Sequence, residues 1–589
     1  MTTDPLNCGV CGLTCAANER CQAGLCEVQC TPVCAAGQMC VGGVCQCPAG
    51  RQLCGIDCID TLSTPQHCGA CNMQCTPGQL CQAGACVCPA GQMSCNGQCA
   101  DVQISPQSCG TCGNACEANE ACMAGICRAP AGADGCSGDA LDVTVREVAL
   151  YQSIKIPLSK DASVIASAQR VAAVVQGRPT MFRVSVAVGA SFMARELSAR
   201  VTIKNGTGED QYFAKQRITK SSTDADSAST FQVFVPREKI TADTRYTVEV
   251  VECGGGSGTM MQPRVPATGD APLDARDTGT LKVKIIPIRS NNQMPDTSEK
   301  GLAVYRDYLE AMYPVSKVEL TVGTEIMTGY PVNWNTVIEQ VRTQRQTDRP
   351  DADTYYYGFL RPTTTFAEYC RRGCTAGVGY VGSPTQAATR VALGLAYGDE
   401  LSAGTMAHEV GHNHGRNHAP CAPGNQIQGV DRNYPHAGAK LGVWGYDPRK
   451  KTLFDPEKTT DIMGYCEPKW ISDYTYKGLT ERLSALNALE IADETTIHAY
   501  RVLLLDSDGP RWSQPFPEPA LPFGTAETAD VLDLDGHPVD RVTVYRTSIG
   551  DSDGSTVLVP EPREGWHAIK LWNALALPFS APITVPDPN

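Results

Sequence analysis

The sequence predicts a multidomain chain in which a disulfide-rich repeat array, a β-sandwich, an α+β domain and a C-terminal β-sandwich follow one another. Three observations carry this reading. The chain has 589 residues, several times the roughly 150 of an average domain. Of its 31 cysteines, 26 lie between Cys8 and Cys136. Beyond them, period-two apolar alternation gives way to mixed helix and strand patterns and then returns.

Composition narrows the function classes. With 42% hydrophobic and 19% charged residues the chain resembles folded soluble protein, and no run of about 18 apolar residues marks a membrane span. Lys plus Arg number 49 against 63 Asp plus Glu, a formal charge of −14. That charge repels nucleic acid and anionic lipid.

Residues 1–135 form the array. Cys47, Cys54, Cys58, Cys68, Cys71, Cys75, Cys81 and Cys86 recur 41 residues later as Cys88, Cys95, Cys99, Cys109, Cys112, Cys116, Cys122 and Cys127. A half-unit repeats at a shift of 19, taking Cys11, Cys15, Cys21 and Cys26 to Cys30, Cys34, Cys40 and Cys45. Small units of this kind are stapled by bridges because they cannot bury a core. Such an array is a binding or adhesion module or a spacer. About one residue in five of this segment is Cys, a density that calls for an oxidising compartment, so the protein is expected to be secreted or held at a cell surface. The first residues have neither a basic nor an apolar region, and an export signal is expected to lie outside this chain. The first unit lacks counterparts of Cys47, Cys54 and Cys58, which leaves Cys8 or a neighbour expected to lack a partner within the array.

Residues 136–255 read as the β-sandwich, from alternating stretches at 180–188, 198–203, 231–235 and 246–251. Cys136 and Cys253 bracket it and are expected to pair. Residues 256–277, rich in Gly, Ser and Pro, read as a linker. The α+β domain, residues 278–495, takes strands from 281–288, 317–322, 354–360, 377–381 and 390–396, with helices at 298–312, 337–347, 402–413 and 476–491. The C-terminal sandwich, residues 496–589, rests on strand patterns at 499–505, 541–545 and 568–571.

The chemistry is concentrated in His408-Glu-Val-Gly-His-Asn-His-Gly-Arg-Asn-His418. His408 and His412, four apart on a helix, share one face. Glu409 is then placed to take a proton from an activated water without ligating the metal. Gly415 allows the break that returns the chain and brings in His418 as the third nitrogen ligand. His414 points about 200° away from His412 and is left out. Three Asp-x-Asp-Gly stretches, at 506–509, 533–536 and 551–554, offer oxygen ligands for calcium. None completes a twelve-residue loop with a closing Glu, which favours polar turns.

These residues resemble the metzincin clan of zinc endopeptidases, whose signature is H-E-x-x-H-x-x-G-x-x-H followed by a Met-turn. Asp461-Ile-Met-Gly-Tyr465 is the counterpart of the Met-turn, with Met463 as the apolar floor. Tyr465 matches the M-x-Y arrangement of some members, in which the Tyr touches zinc or stabilises the transition state; a packed core Tyr is the alternative. Ala419 after the third His, and the 45 residues from His418 to Met463, depart from the best-known families. A β-module before such a domain is similar in layout to large secreted bacterial metzincins that cut mucin-type glycoproteins. The resemblance implies Zn2+ as cofactor and zinc-promoted amide hydrolysis, with His408, His412 and His418 as ligands and Glu409 as base. Protein or glycoprotein is the implied substrate. Strand 377–381 is then either the cleft edge that pairs with an extended substrate or an ordinary internal strand. Approach of the third-ligand turn to the Met-turn implies a Cys421–Cys466 bridge, leaving Cys370 to bond Cys374; a free thiol near the metal is the alternative. A rival of another class is a non-catalytic adhesin, or glycan- or protein-binding protein, carrying a protease-like domain.

Overall fold

The computed structural model describes residues 2–579 apart from 18, 29, 31, 42, 117–120, 124, 129–133, 255–257, 372–373, 383–386, 422–428, 489–498, 514–523 and 573–575. It divides into two units, residues 1–133 and 134–589.

In the first unit the described residues make six two-stranded hairpins, among them Glu19–Gln22 with Leu25–Val28 and Met93–Cys95 with Gln98–Ala100. Their two-residue turns need positive φ at both positions, as at Ala23 and Gly24 (51° and 85°), which suits the right-handed twist of the strands. Bridges replace a core. Cys47–Cys58, Cys54–Cys71 and Cys68–Cys81 repeat as Cys88–Cys99, Cys95–Cys112 and Cys109–Cys122. Cys30 bonds Cys40 as Cys8 bonds Cys21. By its bond Cys30 therefore takes the place of Cys8, and not that of Cys11 as the 19-residue spacing suggests. Cys8 is bridged, and Cys11 is the counterpart of Cys71.

The second unit opens with the expected sandwich. One sheet runs in the order Ser163–Val164, Lys155–Lys160, Val143–Tyr151, Thr180–Val188, Thr230–Val235; the other runs Gly208–Ile218, Arg195–Asn205, Arg245–Glu252, Arg264–Val265. Phe182 and Tyr246 meet between them with ring centroids 5.9 Å apart. Cys136 and Cys253 are bonded, Cα atoms 4.2 Å apart. The expected linker 256–277 is in part sheet: Arg264–Val265 and Ala271–Pro272 both pair with Arg245–Glu252. Gly and Pro there mark short edge pieces, where Pro is tolerated. Buried Arg178 ties the sandwich to the α+β domain, donating to the carbonyls of Gln152, Ala311 and Val315.

The α+β sheet has the order Lys317–Val322, Thr280–Ser290, Thr354–Leu360, Val391–Leu395, Gly377–Tyr380, the first four parallel and the last antiparallel. Side chains alternate across a strand. Val378 and Tyr380 join the core beneath helix Trp334–Asp348, with Val337, Ile338, Val341 and Val391. Gly377 and Gly379 face the other way, towards helix Glu400–Asn413. Helices Glu299–Met312 and Asp473–Ala488 complete the domain; residues 489–491 of the expected last helix lie outside the described residues.

The C-terminal strands depart from the expected pair of sheets. They form one ladder, Arg511–Trp512, Tyr500–Leu505, Ser555–Pro560, Pro538–Gly550, Thr525–Leu532, Ala568–Leu571, Leu577–Pro578. Its two ends meet: the Trp512 and Phe579 ring centroids are 5.6 Å apart, and Trp512 Nε1 donates to the Pro578 carbonyl at 2.9 Å. The reason is Pro538–Gly550, whose 13 residues are long enough to pair Thr525–Leu532 early and Ser555–Pro560 late. Its end also pairs antiparallel with the α+β sheet, Ile549 opposite Tyr380 and Gly550 opposite Gly379.

Candidate active site

Helix Glu400–Asn413 begins where the Asp399 side chain accepts a hydrogen bond from the Ser402 amide at 2.8 Å, an N-cap that starts the turn register carrying His408, Glu409 and His412. Its far end is pinned to the sheet. The Gly382 amide donates to the His412 carbonyl at 2.9 Å, and Asn413 Nδ2 donates to the carbonyls of Tyr380 and Val391. Gly415 then turns the chain at φ 78°. His418 is held by its amide on the Gly429 carbonyl at 3.0 Å and by the Asp431 amide on its own carbonyl at 2.8 Å.

All three imidazoles are buried and present Nε2 to one point. His408 Nδ1 donates to the Ile462 carbonyl at 2.8 Å, and His412 Nδ1 donates to the Arg416 carbonyl at 2.6 Å. Carbonyl acceptors at Nδ1 leave the Nε2 atoms of His408 and His412 with their lone pairs. Burial, then the neighbouring His408 and His418, lower the His412 pKa to about 4, which keeps it a neutral donor.

A carboxylate whose sequence context predicts only a polar turn stands at the same point. Asp551 Oδ2 is 2.9 Å from His408 Nε2 and 3.3 Å from His412 Nε2, and Asp551 Oδ1 is 3.1 Å from His418 Nε2.

The donors fit a metal ion. Ligands about 2.0–2.1 Å from a tetrahedral centre lie roughly 3.3 Å from one another; the Asp551 oxygens stand 2.9–3.3 Å from the three Nε2 atoms, His412 Nε2 is 3.1 Å from His418 Nε2, and all four donors lie within 4.8 Å of one another. His408 Nε2 and Asp551 Oδ1 are buried without a hydrogen bond, a costly state that shared coordination removes.

Glu409 lies beside this group, fully buried against the edge strand. Burial, and then the Asp551 carboxylate, push its carboxyl well above the usual range. Gly377 and Gly379 make room for it: a Cβ at Gly377 would stand 2.5 Å from Glu409 Oε1, and one at Gly379 2.8 Å from the Glu409 carbonyl. Their role is missed by reading the sequence, where Gly-Val-Gly is only a weak strand.

Met463 is buried under the helix, where a Cβ on Gly411 would stand 2.6 Å from its Sδ. The Ala419 amide donates to the Met463 carbonyl at 3.0 Å, joining the third-ligand turn to the Met-turn. Cys421 and Cys466 are bonded across the same junction, Cα atoms 5.8 Å apart, and Cys370 is bonded to Cys374. Tyr465 is 48% exposed, which disposes of the packed-core alternative, and its hydroxyl lies 3.1 Å from His418 Nε2. His414 stays out, stacked on Tyr355 with centroids 4.7 Å apart. Of the calcium candidates, Asp506 is occupied by Arg511 and by Asn335 Nδ2 at 2.9 Å, Asp533 accepts from the backbone of its own turn, and Asp551 belongs to the histidine cluster. A cavity of about 520 Å³ opens beside His412 and His418, lined also by Asn417, Arg546 and Ser548.

Residues 380–490 match the family model described as peptidase M66, and residues 87–130 match that of the stigma-specific STIG1-like protein family. Dictomallein from Burkholderia mallei (strain SAVP1) and from Burkholderia pseudomallei (strain 668) are each 32% identical to this chain over 134 residues, 22% of this chain and 17% of the relative. The matched stretch thus spans well under two thirds of those relatives' length. The peptidase M66 match, which holds the three histidines, Glu409 and the Met-turn, supports a peptidase.

Proposed function

We propose that the chain is a secreted zinc-dependent endopeptidase of metzincin type that hydrolyses peptide bonds of extracellular proteins or glycoproteins. One observation carries the reading: three buried Nε2 atoms converge on one point within 2.9–3.3 Å of the Asp551 carboxylate, and Glu409 lies beside it in a slot between its helix and strand Gly377–Tyr380. His408, His412 and His418 would hold the zinc, which would supply Lewis-acid polarisation of the scissile carbonyl and an acidified attacking water. Glu409 accepts the proton of that water and passes it to the leaving amine. The Tyr465 hydroxyl, beside His418 yet exposed on the outer side, donates to the oxyanion. Strand Gly377–Tyr380 is internal in this structure, paired by Val391–Leu395 and by Ile549 and Gly550, and would supply backbone partners for an extended peptide only with that second side vacated.

Export is supported by the bridges of the array, which need an oxidising compartment, and no helix among the described residues is long and apolar enough to cross a membrane. A complete ligand set with an intact Glu409 speaks against a binding protein whose protease-like domain is dead. The test is a peptidase assay of the full chain. Chelation should abolish cleavage and added zinc restore it, whereas cleavage that survives complete metal removal would refute the reading.

A further inference from the structure

Asp551 sits at the tip of the hairpin joining Pro538–Gly550 to Ser555–Pro560. Four independent features aim that tip at the histidines. Its carboxylate reaches all three Nε2 atoms at 2.9, 3.3 and 3.1 Å, and its side chain is 10% exposed. The two residues before it are paired antiparallel with Tyr380 and Gly379, and Ile549 is buried in the core beside Val378 and Tyr380. Gly550 permits the approach, since a Cβ there would stand 2.8 Å from His412 Cδ2 and 3.1 Å from the Gly379 carbonyl. Beyond the tip, Ser552 Oγ donates to Asn335 Oδ1 at 2.7 Å, and Asn335 Nδ2 holds Asp506 from the neighbouring strand. Asp551 itself has φ 58°, a left-handed conformation that favours glycine and that carboxamide or carboxylate side chains tolerate. A carboxylate kept at such a position, 2.9–3.3 Å from three buried imidazole nitrogens, is placed to share a metal with them.

We propose that Asp551 is the fourth ligand of the metal centre and that the hairpin tip lies where a substrate strand would pair, so that this chain's own hairpin competes with water and substrate for the site. The inference rests on the metal centre of the proposed peptidase. The position that an attacking water needs is taken by a carboxylate, and the edge of strand Gly377–Tyr380 is already paired. Turnover then requires the tip to withdraw from Gly379 and Tyr380, against the core contacts of Ile549 on one side and the polar contacts at Asn335 on the other.

The test uses the full chain loaded with cobalt(II), as wild type, Asp551→Ala and Asp551→Asn, with metal content measured for each. Acetohydroxamate, a small chelating probe, is titrated and its binding read from the visible absorption of the cobalt. Removing a competing ligand should tighten acetohydroxamate binding at least fivefold in Asp551→Ala, with the near-isosteric Asp551→Asn read in its place should the alanine variant fold poorly. A smaller change at one metal per chain overturns the assignment of Asp551 and leaves the metal centre standing. No bound metal in any of the three chains overturns the centre itself, and this inference with it.

Discussion

The carboxylate of Glu409 fits against Gly377 because Gly377 has no side chain: a Cβ there would stand 2.5 Å from Oε1 and 2.7 Å from Cγ. Gly377→Ala should push the carboxylate out of line without touching a metal ligand. A displacement near 1 Å lowers turnover by about 100-fold, with metal content unchanged. Kinetics and elemental analysis of the variant check this, and an unaltered rate would show that Glu409 works from somewhere other than this slot.

Glu409→Gln keeps the shape of the side chain and removes the base. Turnover should fall by about 10²–10⁴-fold, the usual contribution of a general base, while KM and metal content stay near the wild-type values. Retained turnover would remove Glu409 from the chemistry.

Tyr465→Phe removes one hydroxyl, 3.1 Å from His418 Nε2. The expected loss is smaller, about 10-fold in turnover with little change in metal content. A variant as fast as wild type would leave Tyr465 as a surface residue beside the cluster.

Cys421 and Cys466 close a loop of 45 residues, for which the chain-entropy estimate is about 4 kcal/mol. The bridge ties the third-ligand turn to the Met-turn, so the double substitution Cys421→Ala/Cys466→Ala should raise the metal dissociation constant before the sandwich, closed by its own Cys136–Cys253 bridge, loses structure. Metal release and sandwich unfolding at the same denaturant concentration would contradict this.

The features legible in the sequence are local ones. His408 and His412 are four residues apart on one helix, so their shared face is a consequence of helix geometry alone, and strands 317–322 and 354–360 carry their own apolar patterns and are found at those bounds. Met463 and the Cys421–Cys466 bridge are legible only through the resemblance to a known site. Asp551 is not legible in either way. It lies 133 residues after His418, and an Asp-Ser-Asp-Gly stretch is locally an ordinary turn; only the pairing of Ile549 with Tyr380 brings it to the histidines. The single curled C-terminal sheet is hidden for a related reason, since Trp512 and Phe579 lie at opposite ends of the ladder and meet only through its curvature.

The most direct test of the central claim is the zinc content of the purified full chain beside that of His412→Ala. His412 Nε2 lies 3.1 Å from His418 Nε2 and faces the same point as His408, so losing it removes one of three protein nitrogens from the centre. The account predicts one zinc per chain in the wild type and a fraction of that in the variant after dialysis. A wild-type chain without zinc, or a variant that retains all of it, would contradict the account.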